Sequence, residues 1–178
     1  MKQLARIFSA LVLLALIAAA AAVIFLRPLP PPPILPPLIG QIDRIVIEKA
    51  ARRMVLYQGP TAVREYRIAL GFSPVGDKSR QGDGRTPEGS FRINRKNAGS
   101  AYHLSLGLDY PQADDRAKAI AAGFDPGGDI MIHGQPNSLP ATTIIPQDWT
   151  AGCIALSNAQ IAEVFAATTL GTEVQIKP

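Results

Sequence analysis

The fold is decided by Met-Ile-His-Gly at residues 131–134 and, after a polar loop, by Trp-Thr-Ala-Gly-Cys-Ile-Ala-Leu at residues 149–156. The short apolar run that ends at His133 is typical of a buried strand, and the glycine after it lets the chain turn away. The second segment holds Cys153, the only cysteine of the chain. Two small residues precede this cysteine, so the backbone in front of the thiol is open to a reacting carbonyl group.

A cysteine and a histidine arranged in this way suit nucleophilic catalysis. The thiolate of Cys153 would be the nucleophile, and His133 would take the thiol proton and hold the pair as thiolate and imidazolium. The backbone N–H groups of Gly152 and Cys153 would stabilise the oxyanion of a tetrahedral intermediate. The alternative is that Cys153 is a small buried apolar residue, as lone cysteines of soluble domains often are.

The same residues resemble a known family. A His-Gly pair at a strand end, followed after a loop by Thr-x-Gly-Cys-hydrophobic, resembles the L,D-transpeptidase catalytic domain (the YkuD-like family). The matching positions are His133, Gly134, Thr150, Gly152, Cys153 and Ile154. Many members have histidine or aspartate where this chain has Ala151, and arginine or asparagine where it has Ala155. The form Trp-Thr-x-Gly-Cys-Ile-Ala resembles a branch that lacks that arginine.

The resemblance implies a mainly β domain of sandwich or barrel type with one or two short helices. It also implies a peptidoglycan L,D-transpeptidase that needs no cofactor and acts as a monomer. Cys153 would attack the carbonyl before the terminal D-alanine of a stem tetrapeptide, and His133 would protonate the leaving D-alanine. An amine of a second stem peptide would then attack the thioester.

The sequence leaves the acceptor open. Water as acceptor would make the protein an L,D-carboxypeptidase or endopeptidase, and an amine on a protein would make it a protein–wall linker. A non-catalytic wall-binding scaffold is the remaining alternative. An accessible, ionised thiol would favour the enzyme over the scaffold.

Four further residues are expected at the substrate groove: Gly134, Thr150, Arg85 and His103. Arg85 lies in Gly-Asp-Gly-Arg-Thr-Pro-Glu-Gly at residues 82–89, which resembles a family segment near the active-site cleft. It is the candidate for holding the substrate carboxylate. No metal site is expected, because one cysteine and two distant histidines do not give the spacing of metal ligands.

The N-terminal segment, residues 1–27, predicts a membrane anchor. Its run of 20 uncharged residues, 7–26, is long enough to cross a bilayer as a single helix. Basic residues before the run favour an N-terminus in the cytoplasm, with the rest of the chain in the periplasm or otherwise outside the cytoplasm. A cleaved signal peptide is the alternative. Residues 28–38 are rich in proline and predict a semi-rigid spacer, and residues 39–178 form the expected catalytic domain.

Charge and cysteine content limit the possible partners. The formal charge of +4 includes three basic and no acidic residues in segment 1–27, which leaves 15 basic and 14 acidic residues in the remainder. A nearly neutral domain has no electrostatic basis for binding nucleic acid. The family resemblance implies peptidoglycan stem peptides as partners, and the apolar run of residues 7–26 adds the membrane. A single cysteine in an exported domain cannot form an internal disulfide, which favours a reactive thiol.

Periodicity predicts the remaining elements. Apolar or alternating runs predict strands, of which the first three form an antiparallel meander, over residues 42–48, 53–57, 63–70, 90–93, 101–110, 129–133 and 173–176. A short helix is predicted over residues 114–122, ended by Gly123. A second helix is predicted after Ser157, because Ser157 and Gln160 have the spacing of a capping box.

Overall fold

Alternating apolar residues build a three-stranded meander at the start of the domain. The structure, a computed structural model, describes residues 36–178. Strands β1 (Arg44–Glu48), β2 (Arg53–Gln58) and β3 (Thr61–Arg67) are antiparallel neighbours. The predicted meander is thereby confirmed.

Five more strands extend the meander into one curled sheet. They are β4 (Gly89–Asn97), β5 (Ser105–Leu108), β6 (Met131–His133), β7 (Ile154–Ala155) and β8 (Glu173–Lys177). The strand order is β3-β2-β1-β8-β4-β5-β6-β7, with β8 parallel to β1. Isolated bridges from Ala69 to Ala155 and from Gly71 to Thr150 join the segment after β3 to the opposite edge of the sheet. The sheet therefore curls onto itself, and the mainly β prediction is confirmed.

Two helices accompany the sheet, α1 (Ala113–Ala121) and α2 (Asn158–Ala167). The capping box predicted for α2 is present, because the Ser157 hydroxyl accepts a hydrogen bond from the Gln160 N–H and the Gln160 side chain accepts one from the Ser157 N–H. Helix α1 lies within one residue of its predicted range. Gly123 follows it with a φ of 76°, a left-handed conformation that suits glycine at a helix end.

The apolar core places the ends of β6 and β7 side by side. The paired residues are buried, with Ile132 opposite Ile154 and His133 opposite Ala155. Helix α2 packs its fully buried Ile161 into the same core. Each such buried aliphatic side chain stabilises the fold by about 1.5–3 kcal/mol. The core therefore fixes His133 beside the loop that leads into β7.

The strand predicted over residues 101–110 is too long. Strand β5 begins at Ser105, and His103 before it has a left-handed backbone with a φ of 66°. Side chains capture the backbone here, since the Tyr102 N–H donates to the Ser100 hydroxyl and the His103 N–H donates to the Asn137 side chain. Such local bonds compete with the ladder bonds of a strand. His103 therefore lies in a turn and not on a strand face.

The predicted membrane helix over residues 7–26 lies outside the described residues, as does most of the proline-rich spacer. In the part of the chain that the structure describes, no helix is long and apolar enough to span a lipid bilayer. Leu38–Pro178 is one compact unit.

Candidate active site

A cavity of about 470 Å³ lies beside the adjacent ends of β6 and β7. His133 and Cys153 both line it, so the structure brings together the two residues that the sequence singles out for catalysis. The volume is in the range of a small-ligand site. The described lining residues are Asn97, Ser100, Tyr102, Ser105, Asp129, Met131, His133, Trp149, Thr150, Ala151 and Cys153.

The buried imidazole of His133 is held in one tautomer. Its Nδ1 atom lies 2.7 Å from the carbonyl oxygen of Gly134. A carbonyl oxygen can only accept, so Nδ1 carries the hydrogen and Nε2 keeps a lone pair for a proton. Burial lowers the pKa of His133, and the hydrogen bond to Gly134 opposes that effect only in part. The arrangement therefore presents a neutral imidazole with one basic nitrogen.

The thiol of Cys153 is also favoured in its neutral form. Its sulfur lies 3.5 Å from the carbonyl oxygen of Asp129, to which the thiol donates. Burial raises the pKa of Cys153, although the Met131 N–H lowers it by pointing at the sulfur. The neutral forms of the thiol and of the imidazole are therefore favoured in this cavity over the charged forms. Burial is the reason, because it disfavours the charged form of both groups.

Thr150 closes the loop that carries the cysteine. Its hydroxyl donates to the Cys153 carbonyl oxygen over 2.7 Å and accepts from the Gly152 N–H over 3.1 Å. The Gly152 N–H, expected as an oxyanion donor, is thus already bonded. Within residues 36–178 the Cys153 N–H has no hydrogen-bond partner. Of the two predicted donors, Cys153 is the one that can bind an oxyanion without breaking a bond.

Gly152 has no space for a side chain. Its φ is 137°, a conformation that L-residues rarely adopt, and a Cβ atom there would lie 2.7 Å from the carbonyl oxygen of Arg85. The backbone of Arg85 thus packs directly against the cysteine loop. This contact links the turn-rich segment of residues 82–89 to the site through the main chain.

An ion pair anchors the other end of the cysteine loop. Arg52, in the turn between β1 and β2, binds the Asp148 carboxylate through Nε at 2.9 Å and Nη2 at 2.8 Å. The second carboxylate oxygen of Asp148 accepts from the Leu70 N–H over 2.9 Å. The Thr150 N–H donates to the Leu70 carbonyl oxygen. The meander therefore holds the cysteine loop from outside the cavity.

Arg85 and His103, expected at the substrate groove, do not line the cavity. The Arg85 guanidinium donates to the carbonyl oxygen of Asp77 over 3.2 Å, within its own loop. The His103 side chain packs behind Gly134, where a Cβ at position 134 would lie 3.0 Å from the His103 Cβ and 2.7 Å from Asn158 Oδ1. Gly134 is therefore required for close packing in the turn after His133.

Two aromatic rings that sequence reasoning did not single out surround the histidine. The Tyr102 and Trp149 ring centroids lie 4.6 Å and 5.6 Å from that of His133, and 5.9 Å from each other. The Trp149 Nε1–H is buried and has no acceptor among residues 36–178. Trp149 adjoins the Thr-x-Gly-Cys motif, which is the signal that could have identified it. Tyr102 had no such signal, because its turn resembled a strand.

The cavity has little charge. Among its described lining residues, Asp129 alone carries a full charge, and its carboxylate pairs with Arg95 over 2.9 Å. No group of three or more His, Cys, Asp or Glu side chains within residues 36–178 is placed to hold a metal ion. A thiol and an imidazole that line one cavity suit nucleophilic attack coupled to proton transfer.

The chain is similar to several known proteins. It is 30% identical over 138 residues to the YafK protein of Escherichia coli (strain K12). The matched region covers 74% of this chain and 49% of that protein. The crystal structure of the helical cell shape determining protein Pgp2 from Campylobacter jejuni matches with a TM-score of 0.59 and 26% identity, covering 78% of this chain and 48% of that one. The chain thus spans about half the length of the curated relatives that it matches.

A more distant solved structure agrees with the fold. The L,D-transpeptidase from Xylanimonas cellulosilytica has a TM-score of 0.52 at 15% identity, covering 85% of this chain and 64% of that chain. The sequence profile of the L,D-transpeptidase catalytic domain, YkuD, matches residues 42–176, which include the curled sheet, both helices and the whole cysteine loop. The chain belongs to the L,D-transpeptidase catalytic domain (YkuD) family.

Proposed function

We propose that this protein is a peptidoglycan L,D-transpeptidase with Cys153 as nucleophile and His133 as general base. One observation carries the proposal: in a chain of this family, a thiol and a buried imidazole with Nε2 available line the same cavity. General-base catalysis requires this combination of a protonated nucleophile and a neutral base.

The first half-reaction forms a thioester. As the Cys153 sulfur attacks the carbonyl carbon before the terminal D-alanine, its proton passes to His133 Nε2. The Cys153 N–H donates to the oxyanion of the tetrahedral intermediate. The C–N bond then breaks, and the His133 imidazolium returns the proton to the departing D-alanine amine. Because burial disfavours the charged forms of both groups, we expect the proton to move as the sulfur attacks.

The second half-reaction transfers the acyl group to an amine. The attacking amine loses its proton to His133 Nε2 while the new C–N bond forms. The C–S bond breaks, and the proton returns to the sulfur. With water in place of the amine, the same steps would give an L,D-carboxypeptidase, so the products distinguish the two activities.

The aromatic lining supports a peptide substrate. Tyr102 is 39% exposed, and its ring lies 4.6 Å from that of His133 at an angle of 39°, which provides an apolar surface beside the reacting atoms. The Trp149 Nε1–H is a buried donor that has no acceptor in the part of the chain that the structure describes. Such donors are rare in native proteins and are costly to leave unpaired. A peptide carbonyl of the substrate would supply the acceptor after a small shift of the ring.

The apolar run of residues 7–26 supports membrane attachment as part of the same proposal. It would hold the catalytic domain on the outer side of the cytoplasmic membrane, where peptidoglycan is found. Alkaline carbonate extraction of membranes from expressing cells tests this. The protein should stay in the membrane fraction, and it should leave that fraction when residues 1–27 are deleted.

Release of D-alanine from a disaccharide tetrapeptide tests the enzymatic proposal. The wild-type chain should release D-alanine and form a cross-linked dimer, while Cys153→Ala should do neither. Circular dichroism of Cys153→Ala should match the wild type, because the substitution removes one sulfur atom from the cavity wall. Turnover by Cys153→Ala at the wild-type rate would contradict the proposal. D-alanine release without a dimer would identify the hydrolase.

A further inference from the structure

A buried side-chain amide joins the segment after β6 to the segment after β7, and the reaction above does not use it. Gln135 is 2% exposed and follows His133 by two residues. Its Nε2 atom donates to the Leu156 carbonyl oxygen over 2.7 Å, and its Oε1 atom accepts from the Ile145 N–H over 3.1 Å. Both polar ends of this side chain are therefore bonded to main-chain groups.

The bond to Leu156 extends a short pair of strands. Strands β6 and β7 share two residue pairs, of which the second is His133 with Ala155. The Leu156 N–H continues the pairing by donating to the His133 carbonyl oxygen over 2.9 Å. Because the Gln135 amide bonds to the Leu156 carbonyl oxygen, both main-chain groups of Leu156 are bonded to the segment that carries His133. The amide thus adds a bond at the end of the pair, where fraying would begin.

Strand β7 has its own anchor on the opposite side. The Ala155 N–H donates to the Ala69 carbonyl oxygen over 2.8 Å, and the Ala69 N–H donates to the Ala155 carbonyl oxygen over 2.9 Å. Cys153 directly precedes β7, so this anchor fixes it relative to the meander. What the Gln135 amide can determine is the position of the His133 segment relative to Cys153.

The main chain of Gln135 is fixed as well. Its N–H donates over 2.8 Å to Oδ1 of Asn158, the first residue of α2. The Asn158 Nδ2 atom donates to the Ala141 carbonyl oxygen over 3.3 Å. Gln135 is therefore bound to α2 through its main chain and to β7 and the intervening loop through its side chain.

We propose that Gln135 is a positioning residue, whose buried amide holds the His133 segment against β7 and so aligns His133 Nε2 with the thiol of Cys153. The proposal rests on the proposed L,D-transpeptidase function and goes beyond it by assigning a task to a residue that does not line the cavity.

The physical basis is the short range of proton transfer. A base must lie within hydrogen-bond reach of the proton that it takes, and a misplacement of about 1 Å can slow a reaction up to about a hundredfold. Without the amide, the Leu156 carbonyl oxygen would be left buried with one bonding partner fewer. An unpaired buried carbonyl group is costly, so the chain would shift to relieve it.

Two reactions of the same sulfur test the alignment. Alkylation by iodoacetamide needs an accessible thiolate alone, whereas acylation by a carbapenem also needs His133. In acylation the sulfur bonds to the lactam carbonyl carbon, the C–N bond of the ring breaks, and the thiol proton passes through His133 Nε2 to the ring nitrogen. The ratio of the two rates, measured by intact mass on the 178-residue chain, therefore reports alignment separately from access to the thiol.

Gln135→Leu is the test variant, because leucine is apolar and similar in size. Circular dichroism first establishes a temperature at which the variant is folded. Its rate of acylation at saturating carbapenem should then fall roughly tenfold or more. The half-saturating concentration and the alkylation rate should remain near their wild-type values, because the cavity lining and the thiol are unchanged.

A second variant and a control accompany it. Asn158→Ala removes the acceptor of the Gln135 N–H but keeps the side-chain amide, so its acylation rate should fall by less. The control, Thr168→Val, removes a buried hydroxyl that donates to the Val164 carbonyl oxygen over 2.6 Å at the end of α2. It should lower the melting temperature and leave the ratio unchanged.

An unchanged ratio in folded Gln135→Leu would overturn the proposal. An equal fall in acylation and alkylation would also overturn it, because Gln135 would then affect access to the thiol and not its alignment. If Gln135→Leu does not fold, Asn158→Ala decides, and an unchanged ratio there would overturn the proposal. A wild-type chain that is alkylated but not acylated would overturn the proposed function itself, and this inference with it.

Discussion

The Nδ1 atom of His133 donates its hydrogen to the carbonyl oxygen of Gly134, 2.7 Å away. No carboxylate takes part in this bond, so the histidine is oriented by a neutral group. A carbonyl oxygen fixes the tautomer as a carboxylate would, but it stabilises the imidazolium less. Together with burial, this leaves His133 neutral and ready to accept a proton.

The pH dependence of acyl transfer should show this neutral state. Burial lowers the pKa of His133 from its ordinary value of 6.5. The imidazole therefore stays unprotonated to a lower pH than a free histidine does. The acidic limb of the kcat/KM profile for D-alanine release should have its midpoint below about 6.5. A midpoint above that value would show that the imidazolium is stabilised.

Alkylation of the free thiol should follow a high pKa. Burial raises the pKa of Cys153, so the rate of reaction with iodoacetamide in the substrate-free protein should keep rising through the ordinary range of a cysteine, about 8.5. His133→Asn should keep this profile. A rate plateau near neutral pH that disappears in His133→Asn would instead reveal a standing thiolate–imidazolium pair.

Substitution of Gly152 should disable the cysteine loop. In Gly152→Ala the new Cβ would lie 2.7 Å from the Arg85 carbonyl oxygen, whereas in Gly82→Ala the φ of 78° is similarly unusual but the space is open. Both variants have the left-handed strain of about 1–2 kcal/mol. Only Gly152→Ala adds the clash, so it should lower the melting temperature further and cut D-alanine release at least tenfold. Equal behaviour of the two variants would argue against the clash.

Loss of the Asp148 carboxylate should lower both activity and stability. Asp148→Ala removes both the ion pair to Arg52 and the acceptor for the Leu70 N–H, while Asp148→Asn keeps an acceptor oxygen for that N–H. Asp148→Ala should therefore lower kcat several-fold at a cost of about 1–3 kcal/mol in unfolding free energy, and Asp148→Asn should recover most of both losses. If Asp148→Asn and Asp148→Ala were equally impaired, the bond to the Leu70 N–H would be unimportant.

Asp83 should stabilise the domain above the acidic range. Burial alone would raise the pKa of its carboxyl group, but bonds from Lys78 and from the N–H groups of Ser79, Arg85 and Arg80 outweigh it and hold the pKa at about 2, below the usual 3.8. Because the folded-state pKa is the lower one, this stabilisation is present above about pH 4 and is lost as the pH falls towards 2.

Asp83→Asn provides the measurement. It leaves the buried Lys78 ammonium without its charge partner, which should destabilise the domain by roughly 2–4 kcal/mol at neutral pH. The difference from wild type should shrink steadily below pH 4 in urea unfolding. A difference that stays constant down to pH 2 would show that the cost arises from something other than the carboxylate charge.

Local sequence patterns were sufficient to predict most of the fold. Alternation predicted the meander, and the capping box at Ser157 predicted where α2 begins. The turn before β5 was mistaken for a strand, because the apolar pattern of residues 101–104 does not show that neighbouring side chains capture the backbone. Long-range pairing, such as β8 lying between β1 and β4, leaves no mark in a local pattern.

The residues of the candidate site were likewise predicted only in part from the sequence. Cys153 and His133 lie within a recognisable motif and line one cavity, whereas Arg85 was expected there from loop position and its guanidinium bonds within its own loop. The ionisation of the pair depends on burial, and burial is a property of the packed structure. Tyr102 and Asp129 lie in separate segments of the chain, so only the three-dimensional fold brings both to the cavity that holds the sulfur.

The most direct test is intact-mass spectrometry of the 178-residue chain after exposure to a carbapenem, which mimics the acyl donor. The wild type should gain the mass of one carbapenem, His133→Asn should gain it much more slowly, and Cys153→Ala should gain nothing. A folded wild-type chain that gains no mass, or a Cys153→Ala variant that gains it as fast, would contradict the assignment of Cys153 as the acyl-transfer nucleophile.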